Sequence, residues 1–399
     1  MTNQLLRQVS FEDTSIAFSA KSDAQLRWAY RLFGIINRPW LVGLGTASLK
    51  LALRLRLPVR WLVKPTVFAH FCGGETIEDC RPVVAQLQQY GIGAILDYSV
   101  EGEKSEEGFE KAAQEIKRTI SKAAGKPKEY PFCVFKMTGL ASFDLMAKRQ
   151  SAQVLTQEEE KAWQKAFERV EDICQWAYTH DVRIFIDAEE TWIQQSIDAV
   201  AYAMMRRFNR EKAIVYNTYQ LYTRAALENL RQAYAEAQSE GYRLGAKLVR
   251  GAYMEKERER AEKMDYPDPI QPNKAATDRD YDEALRFCLQ QHPRISFCAG
   301  THNEASSQLL AEWMQQQDLA PQHPDIYFAQ LYGMSDHISY NLAHAGFNVA
   351  KYVPYGPVEA VMPYLMRRAA ENTSVAGQSS REFSLLQREL RRRKAARRT

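Results

Sequence analysis

A chain of 399 residues with 45% hydrophobic and 26% charged side chains can bury a sizeable core, and 19 glycines with 15 prolines are too few for a collagen-like or linker-dominated chain. No apolar run approaches the ~20 residues that span a bilayer, since the best candidate, residues 35–49, is broken by Arg38 and Pro39. The net charge of +4 belongs to the end of the chain, where residues 388–399 hold seven basic residues against one acid, Glu389, so that residues 1–387 sum to −2.

The opening MTNQLLRQVSFEDTS lacks the charged-then-apolar layout of a secretory signal. Six scattered cysteines, without a CxxC pair, read as reduced thiols in an intracellular protein rather than as metal ligands. Residues 1–90 read as a mainly helical region. Within it, LKLALRLRL (49–57) followed by Arg60, Trp61 and Lys64 has two readings: a packed element with snorkelling basic stems, or an interfacial element on a membrane.

From residue 91 a pattern repeats. Short β-branched or aromatic runs occur at 93–99, 131–137, 182–188, 213–218, 244–250, 295–300, 325–331 and 347–353, separated by segments of helical periodicity such as 157–179 and 222–239. Eight near-continuously apolar strands alternating with helices fit a closed (βα)8 barrel of the TIM type over residues 91–375, followed by a basic tail over 376–399. No GxGxxG follows any of these strands, which disfavours a Rossmann sheet.

Polar residues gather where each run ends: Glu101, Lys136, Asp187 with Glu189, Asn217 with Gln220, Lys247 with Arg250, Thr301 to Asn303, Gln330 with Tyr332, and Tyr352. A barrel carries its active site on that rim. After the eighth strand, Pro357 suits a helix start, and Tyr364, Arg367, Arg368 and Glu371 at i, i+3, i+4 and i+7 share one helix face. Two adjacent guanidinium groups with one acid form a fork suited to a carboxylate, or else a salt-bridged solvent face. The acids of IDAEE (186–190) could bind a metal, but with lysine and arginine on the same rim an ion-paired Asp187 is favoured and no metal is expected. On a strand, Asp187 and Glu189 would face one way and Glu190 the other. His302 stays open as base, cofactor contact or structural residue.

Five motifs in this order, IDAEE (186–190), KLVRGAY (247–253), GTHN (300–303), QLYGM (330–334) and YVPYG…YLMRRAAEN (352–372), resemble the proline dehydrogenase family, over a stretch from about Leu96 to Asn372. The spelling KLVRGAY is similar to the monofunctional, eukaryotic-type branch, and neither an aldehyde dehydrogenase module nor a DNA-binding segment is expected.

The resemblance implies a distorted barrel that binds FAD noncovalently and oxidises L-proline to Δ1-pyrroline-5-carboxylate. In that reading Lys136, Asp187 and Arg250 are the catalytic group. Lys136, Leu331, Tyr352, Tyr364, Arg367 and Arg368 hold the substrate, with Glu371 and Glu101 as ion-pair support. Ala188, Asn217, Gln220, Lys247, Val249, Arg250, Gly251, Ala252, Thr301 and His302 contact the flavin, leaving open whether Lys247 or Arg250 reaches its N5 edge. A membrane quinone would take the electrons from a protein peripheral on the inner, cytoplasmic face of the respiratory membrane, docked on anionic lipid through residues 388–399. Hydroxyproline oxidation on the same scaffold is the nearest alternative, and an adaptor acting through the basic tail the non-enzyme one; no nucleic-acid partner is expected.

Overall fold

The protein is described by a computed structural model over residues 9–55, 59–99, 103–374 and 378–397. Glu101 falls outside the described residues, as do Arg398, Thr399 and the side chains of Glu371 and of residues 50–54.

Eight parallel strands form one sheet: β1 (Ile92–Tyr98), β2 (Cys133–Lys136), β3 (Ile184–Asp187), β4 (Val215–Gln220), β5 (Leu244–Val249), β6 (Ile295–Gly300), β7 (Ile326–Leu331) and β8 (Val349–Tyr355). Their order, β1-β8-β7-β6-β5-β4-β3-β2, is that of a (βα)8 barrel opened along one seam. Among the described residues no ladder joins β1 to β2; a backbone bond from Ala94 N–H to Glu129 O, 2.7 Å, ties the lower end of the seam. That open seam is the distortion. The eight runs expected from sequence are all strands, with ends moved by up to two residues, most visibly at β4 and β8, which begin and finish later.

Before the barrel come α1 (Thr14–Ala17), α2 (Asp23–Ile36), α3 (Pro39–Arg54), α4 (Arg60–Val63), α5 (Ala69–Phe71) and α6 (Arg81–Gln88). The barrel helices are α7 (Glu106–Ala123), α8 (Phe143–Gln150), α9 (Gln157–Thr179), α10 (Thr191–Phe208), α11 (Ala226–Glu240), α12 (Met254–Met264), α13 (Lys274–Gln290), α14 (Glu304–Gln316) and α15 (Asp336–His344). After β8 follow α16 (Val358–Ser374) and α17 (Gln378–Ala396). Local sequence explains the helices well. In α7 the buried residues Phe109, Ala112, Ala113, Ile116 and Ile120 recur at helical spacing, and α9 opens with a reciprocal capping box between Thr156 and Glu159.

Alternate residues of each strand face the lumen. Ile95, Val134, Phe185, Tyr216, Cys298, Ala329, Ala350 and Tyr352 fill it with Phe132, whose ring stacks on Phe185 at 4.2 Å. The opposite strand faces pack on the helices, and all six cysteines are buried free thiols. A separate core joins α2 and α5 to α16 and α17 through Leu26, Phe33, Phe71, Val361, Leu365, Leu385 and Leu386.

The basic end of the chain is not a solvated extension. Helix α17 lies against α2, with Phe383 stacked on Tyr30 at 4.6 Å. Most of its basic side chains stay exposed at their ends, but several are met by acids of the fold. Arg392 and Arg393 both bond the wholly buried Glu389 at 2.7 Å, Arg393 also meets Asp23 at 2.8 Å, and Arg388 meets Glu12 at 2.6 Å.

Candidate active site

At the C-terminal ends of the strands, register aligns Lys136 with Asp187 and Ile95 with Tyr352. The lumen-facing polar residues form a closed charge set. Lys247 Nζ lies 2.6 Å from Asp187 Oδ1, and Tyr352 donates its hydroxyl hydrogen to Asp187 Oδ2 at 2.8 Å. The Lys247 ammonium also stands 4.7 Å from the Tyr352 ring centroid and 5.1 Å from that of Phe185. Lys136 Nζ lies 3.5 Å from Asp97 Oδ2 across the β1–β2 seam, and Ser99 donates to the same oxygen.

These groups hold one another in fixed states. Burial pushes the Asp187 carboxyl up, but Lys247, Lys136 and the hydrogen bonds from Lys247 and Tyr352 outweigh it and keep its pKa below the ordinary value. The Tyr352 hydroxyl is pushed well above its usual range by burial, then by Asp187 and Asp97, so it remains a donor. Two lysines and two aspartates in a dry lumen are stable together and costly apart.

The rim above is organised around Arg250. Its Nε donates to Asp278 at 2.7 Å, one terminal nitrogen to Thr301 Oγ1 at 2.7 Å and the other to Ser306 Oγ at 2.9 Å, while the guanidinium lies 4.2 Å from the Tyr281 ring centroid. A guanidinium has five donors, so this anchorage leaves two for a ligand. Gly251 follows at φ +141°, where a Cβ would lie 2.4 Å from the Tyr222 ring, so only glycine fits. His302 Nδ1 meets Ser335 Oγ at 2.9 Å. Burial first, then Lys351, Arg368, His337 and Arg250, lower its pKa to about 3, which leaves a neutral imidazole.

β3 stops at Asp187, so Glu189 and Glu190 lie in the loop beyond the strand on which the period-two reading of IDAEE rests. Glu189 accepts bonds from the Thr138 N–H, 3.0 Å, and the Thr138 hydroxyl, and like Asp187 it feels the charge of Lys136, while Glu190 pairs with Lys256. The three acids thus go to three different partners. Burial, against the Thr138 bonds, raises the Glu189 pKa to about 7. One convergent set of ligand-type side chains, His292, His323 and Asp325, stands at the opposite barrel end, before β6 and β7.

On α16 the Arg368 guanidinium lies 5.3 Å from the Tyr364 ring centroid, and that of Arg367 lies 5.9 Å from the ring of Tyr253, in the loop after β5. Leu331 is in register with Tyr352 and borders the lumen core. The structure therefore brings Lys136, Asp187, Lys247 and Tyr352 into one set, Arg250 onto Thr301, and Arg367 over KLVRGAY. Ala188 is buried just beyond Asp187, and Gln220 donates to the Glu189 carbonyl at 2.6 Å. Asn217 is the exception. Tyr216 faces the lumen, so Asn217 faces the helices and donates to Asp198 on α10 at 2.8 Å, away from the group it was expected to join. Asp97, Asp278, Tyr281 and Ser306 were not picked out from sequence. Asp97 alone carried a signal, an acid inside the apolar run GAILDYS.

The family description "Proline dehydrogenase" matches residues 80–381. The chain is similar to proline dehydrogenase 1, mitochondrial, of Dictyostelium discoideum, with 33% identity over 96% of this chain and 74% of that protein. It is also similar to hydroxyproline dehydrogenase of Xenopus laevis, with 32% identity over 96% of this chain and 90% of that protein. Among solved structures, proline utilization A from Bdellovibrio bacteriovorus, inactivated by N-propargylglycine, superposes with a TM-score of 0.71 at 19% identity. That likeness covers 94% of this chain and 42% of the solved one, so the chain spans less than half of that longer protein and shares its fold.

Proposed function

The chain belongs to the proline dehydrogenase family, and from that premise we propose that it oxidises L-proline to Δ1-pyrroline-5-carboxylate with FAD as cofactor. The observation that carries the reading is the set of buried Asp187, Lys247 and Tyr352 with the partly buried Lys136 at the strand ends, in a chain that the family model matches over residues 80–381.

The donor chemistry fits a flavin dinucleotide. Arg250 is anchored by three partners with donors to spare, beside Thr301, a neutral His302 and the Gly251–Ala252 backbone. Lys247, Val249, Arg250, Gly251, Ala252, Thr301, His302, Gln220 and Ala188 would hold the cofactor, which supplies a hydride acceptor when bound.

The chain's own residues bind and orient. Arg367, Arg368 and Lys136 take the carboxylate, a task that suits paired guanidinium forks. Tyr352, Tyr364 and Leu331 enclose the pyrrolidine ring and keep water from it. Asp187 stays ionised and holds Lys247 and the Tyr352 hydroxyl still, so no reorganisation of these groups accompanies loss of the Cδ hydrogen. Glu371 and Glu101 complete the charge balance.

Electrons pass to a membrane quinone from a peripheral position on the inner face of the respiratory membrane. Relatives named mitochondrial support this, and among the described residues no helix is long and apolar enough to cross a membrane. A second reading, oxidation of hydroxyproline, is favoured by the Xenopus relative; the bulk of Tyr352 beside Leu331 argues for the unsubstituted ring.

Anaerobic titration of the FAD-loaded protein with L-proline tests the proposal, with bleaching of the flavin absorbance as the expected result. A protein that stays colourless after FAD is added, or a flavin that hydroxyproline bleaches and proline does not, overturns it.

A further inference from the structure

Between Asp23 and Glu75 the chain contains no acid at all, while Arg27, Arg31, Arg38, Lys50, Arg54, Arg56, Arg60 and Lys64 supply eight cations over residues 24–74. The same segment carries seven of the eleven large hydrophobic side chains exposed among the described residues. The most prominent are Trp61, 73% exposed, and Trp40, 67% exposed, with Leu44, Leu55 and Leu62 near them in sequence. Trp40 and Leu44 stand at i and i+4 on α3, hence on one face of that helix.

Buried residues of α2 and α5 commit the inner side of this region to the α16–α17 core. Its outer side combines indole rings, leucines and basic heads, and Glu75, which Arg60 and Lys64 share, is the carboxylate recorded against them among the described residues. An ordinary solvated face mixes both signs of charge and keeps aromatics in. Tryptophans flanked by arginine and lysine are the composition of a surface that lies in a bilayer interface, and a sixteen-residue helix such as α3 would lie about 24 Å along it.

The other basic segment does not compete. The arginines of α17 are paired with Glu12, Asp23, Glu304 and Glu389, so its charge is largely spent within the fold. Of the outer cations on the N-terminal side, only Arg60 and Lys64 share a carboxylate, that of Glu75, among the described ion pairs.

We infer that the outer face of α3 and α4, centred on Trp40, Leu44, Trp61 and Leu62, docks on an anionic lipid surface and is the membrane-contacting face of the protein, the role that the composition of residues 388–399 had indicated for the chain end. The inference deepens the quinone reading and rests on it for its purpose, but lipid binding is measured without substrate, so the two fail separately.

The test is flotation of the full-length, FAD-loaded protein with vesicles of phosphatidylcholine alone and of phosphatidylcholine mixed with phosphatidylglycerol. The wild type is expected to float with the anionic vesicles only. The double variant Trp40→Glu, Trp61→Glu is expected to lose at least about tenfold in vesicle affinity, because two interfacial anchors are replaced by charges repelled by the lipid. Arg391→Glu with Lys394→Glu on α17 is expected to bind as the wild type does. Both variants should keep flavin content and turnover with a water-soluble dye. Absence of wild-type binding, unchanged binding of the tryptophan variant, or loss confined to the α17 variant each overturns the proposal. So does a wild-type dimer, without affinity for vesicles, that Trp40→Glu, Trp61→Glu converts to a monomer, which would assign the face to a second copy of the chain.

Discussion

Tyr352 on β8 reaches across the barrel to Asp187 on β3, placing its hydroxyl 2.8 Å from Oδ2, while Lys247 takes Oδ1. The two strands are not neighbours in the sheet, so this bond spans the lumen and joins opposite walls. It makes Asp187 the counter-charge of Lys247 and, beside Asp97, a second one for Lys136.

Removing that counter-charge should be far worse than removing one of its donors. Tyr352→Phe deletes a single hydrogen bond and should cost about 1–2 kcal/mol. Asp187→Asn leaves the buried Lys247 without its ionic partner and Lys136 with Asp97 alone, and should cost about 3–5 kcal/mol. Urea denaturation reads both. Adding Lys247→Met to Asp187→Asn should restore part of the loss, and strict additivity of the two substitutions would show that the pair is not coupled.

Arg367→Met and Arg368→Met address the carboxylate clamp. Each should raise the KM for proline by about tenfold or more, the worth of a charge-assisted bond of ~1.5–3 kcal/mol, while flavin stays bound. Steady-state kinetics beside the flavin-to-protein absorbance ratio separates the roles. Loss of FAD with unchanged KM would move these arginines from the substrate to the cofactor.

Glu189 and His302 give stability opposite pH slopes. The Glu189 pKa is raised from 4.5 to about 7, so between those values the folded protein holds more protons than the unfolded chain. Its contribution is full below the unfolded value and is lost as pH rises through about 7. Glu189→Gln can keep both Thr138 contacts, and its urea midpoint relative to wild type should climb across that window.

His302 is lowered from 6.5 to about 3, so its contribution is present above 6.5 and is lost as pH falls toward 3. His302→Asn should shift the onset of acid unfolding to lower pH. An unchanged acid limb in circular dichroism titrations would count against the neutral imidazole.

The N-terminal helices are tied to the barrel by a buried ionic link. Asp336 lies 2.9 Å from both Lys21, just before α2, and Lys351, which points from β8 toward the helices and is completely buried. Asp336→Asn should cost about 3–5 kcal/mol and free the first helices, so limited proteolysis should cut near residues 9–22 well before the barrel opens. Cleavage beginning inside the barrel instead would show the link to be dispensable.

Much of this was legible in the chain. The apolar strands must be buried on both faces, so eight of them with intervening helical periods left little choice but a barrel, and the polar residues at their ends marked its working rim. What escaped depends on geometry that spacing cannot convey. Asn217 and Gln220 read alike as strand-end amides, but the strand's phase turns one toward α10 and the other inward. The partners of Glu189 and Glu190, Thr138 and Lys256, were not legible because both acids lie in the loop beyond the end of β3. Asp97 finds its partner only across the barrel seam, 39 positions from Lys136 in sequence. The pairing of α17 arginines with Glu12 and Asp23 was not legible because those acids belong to the other end of the chain.

That last pairing bears on how the protein folds. Arg393 donates to the carbonyls of Phe18 and Lys21 and to Asp23, and Phe383 stacks on Tyr30. Phe18, Leu26 and Phe33 share one core with Leu385 and Leu386, more than 350 positions further along the chain. Joining them closes a loop that contains every strand of the barrel, so this contact is among the most non-local in the fold and its closure entropy is repaid only once the barrel between them is built.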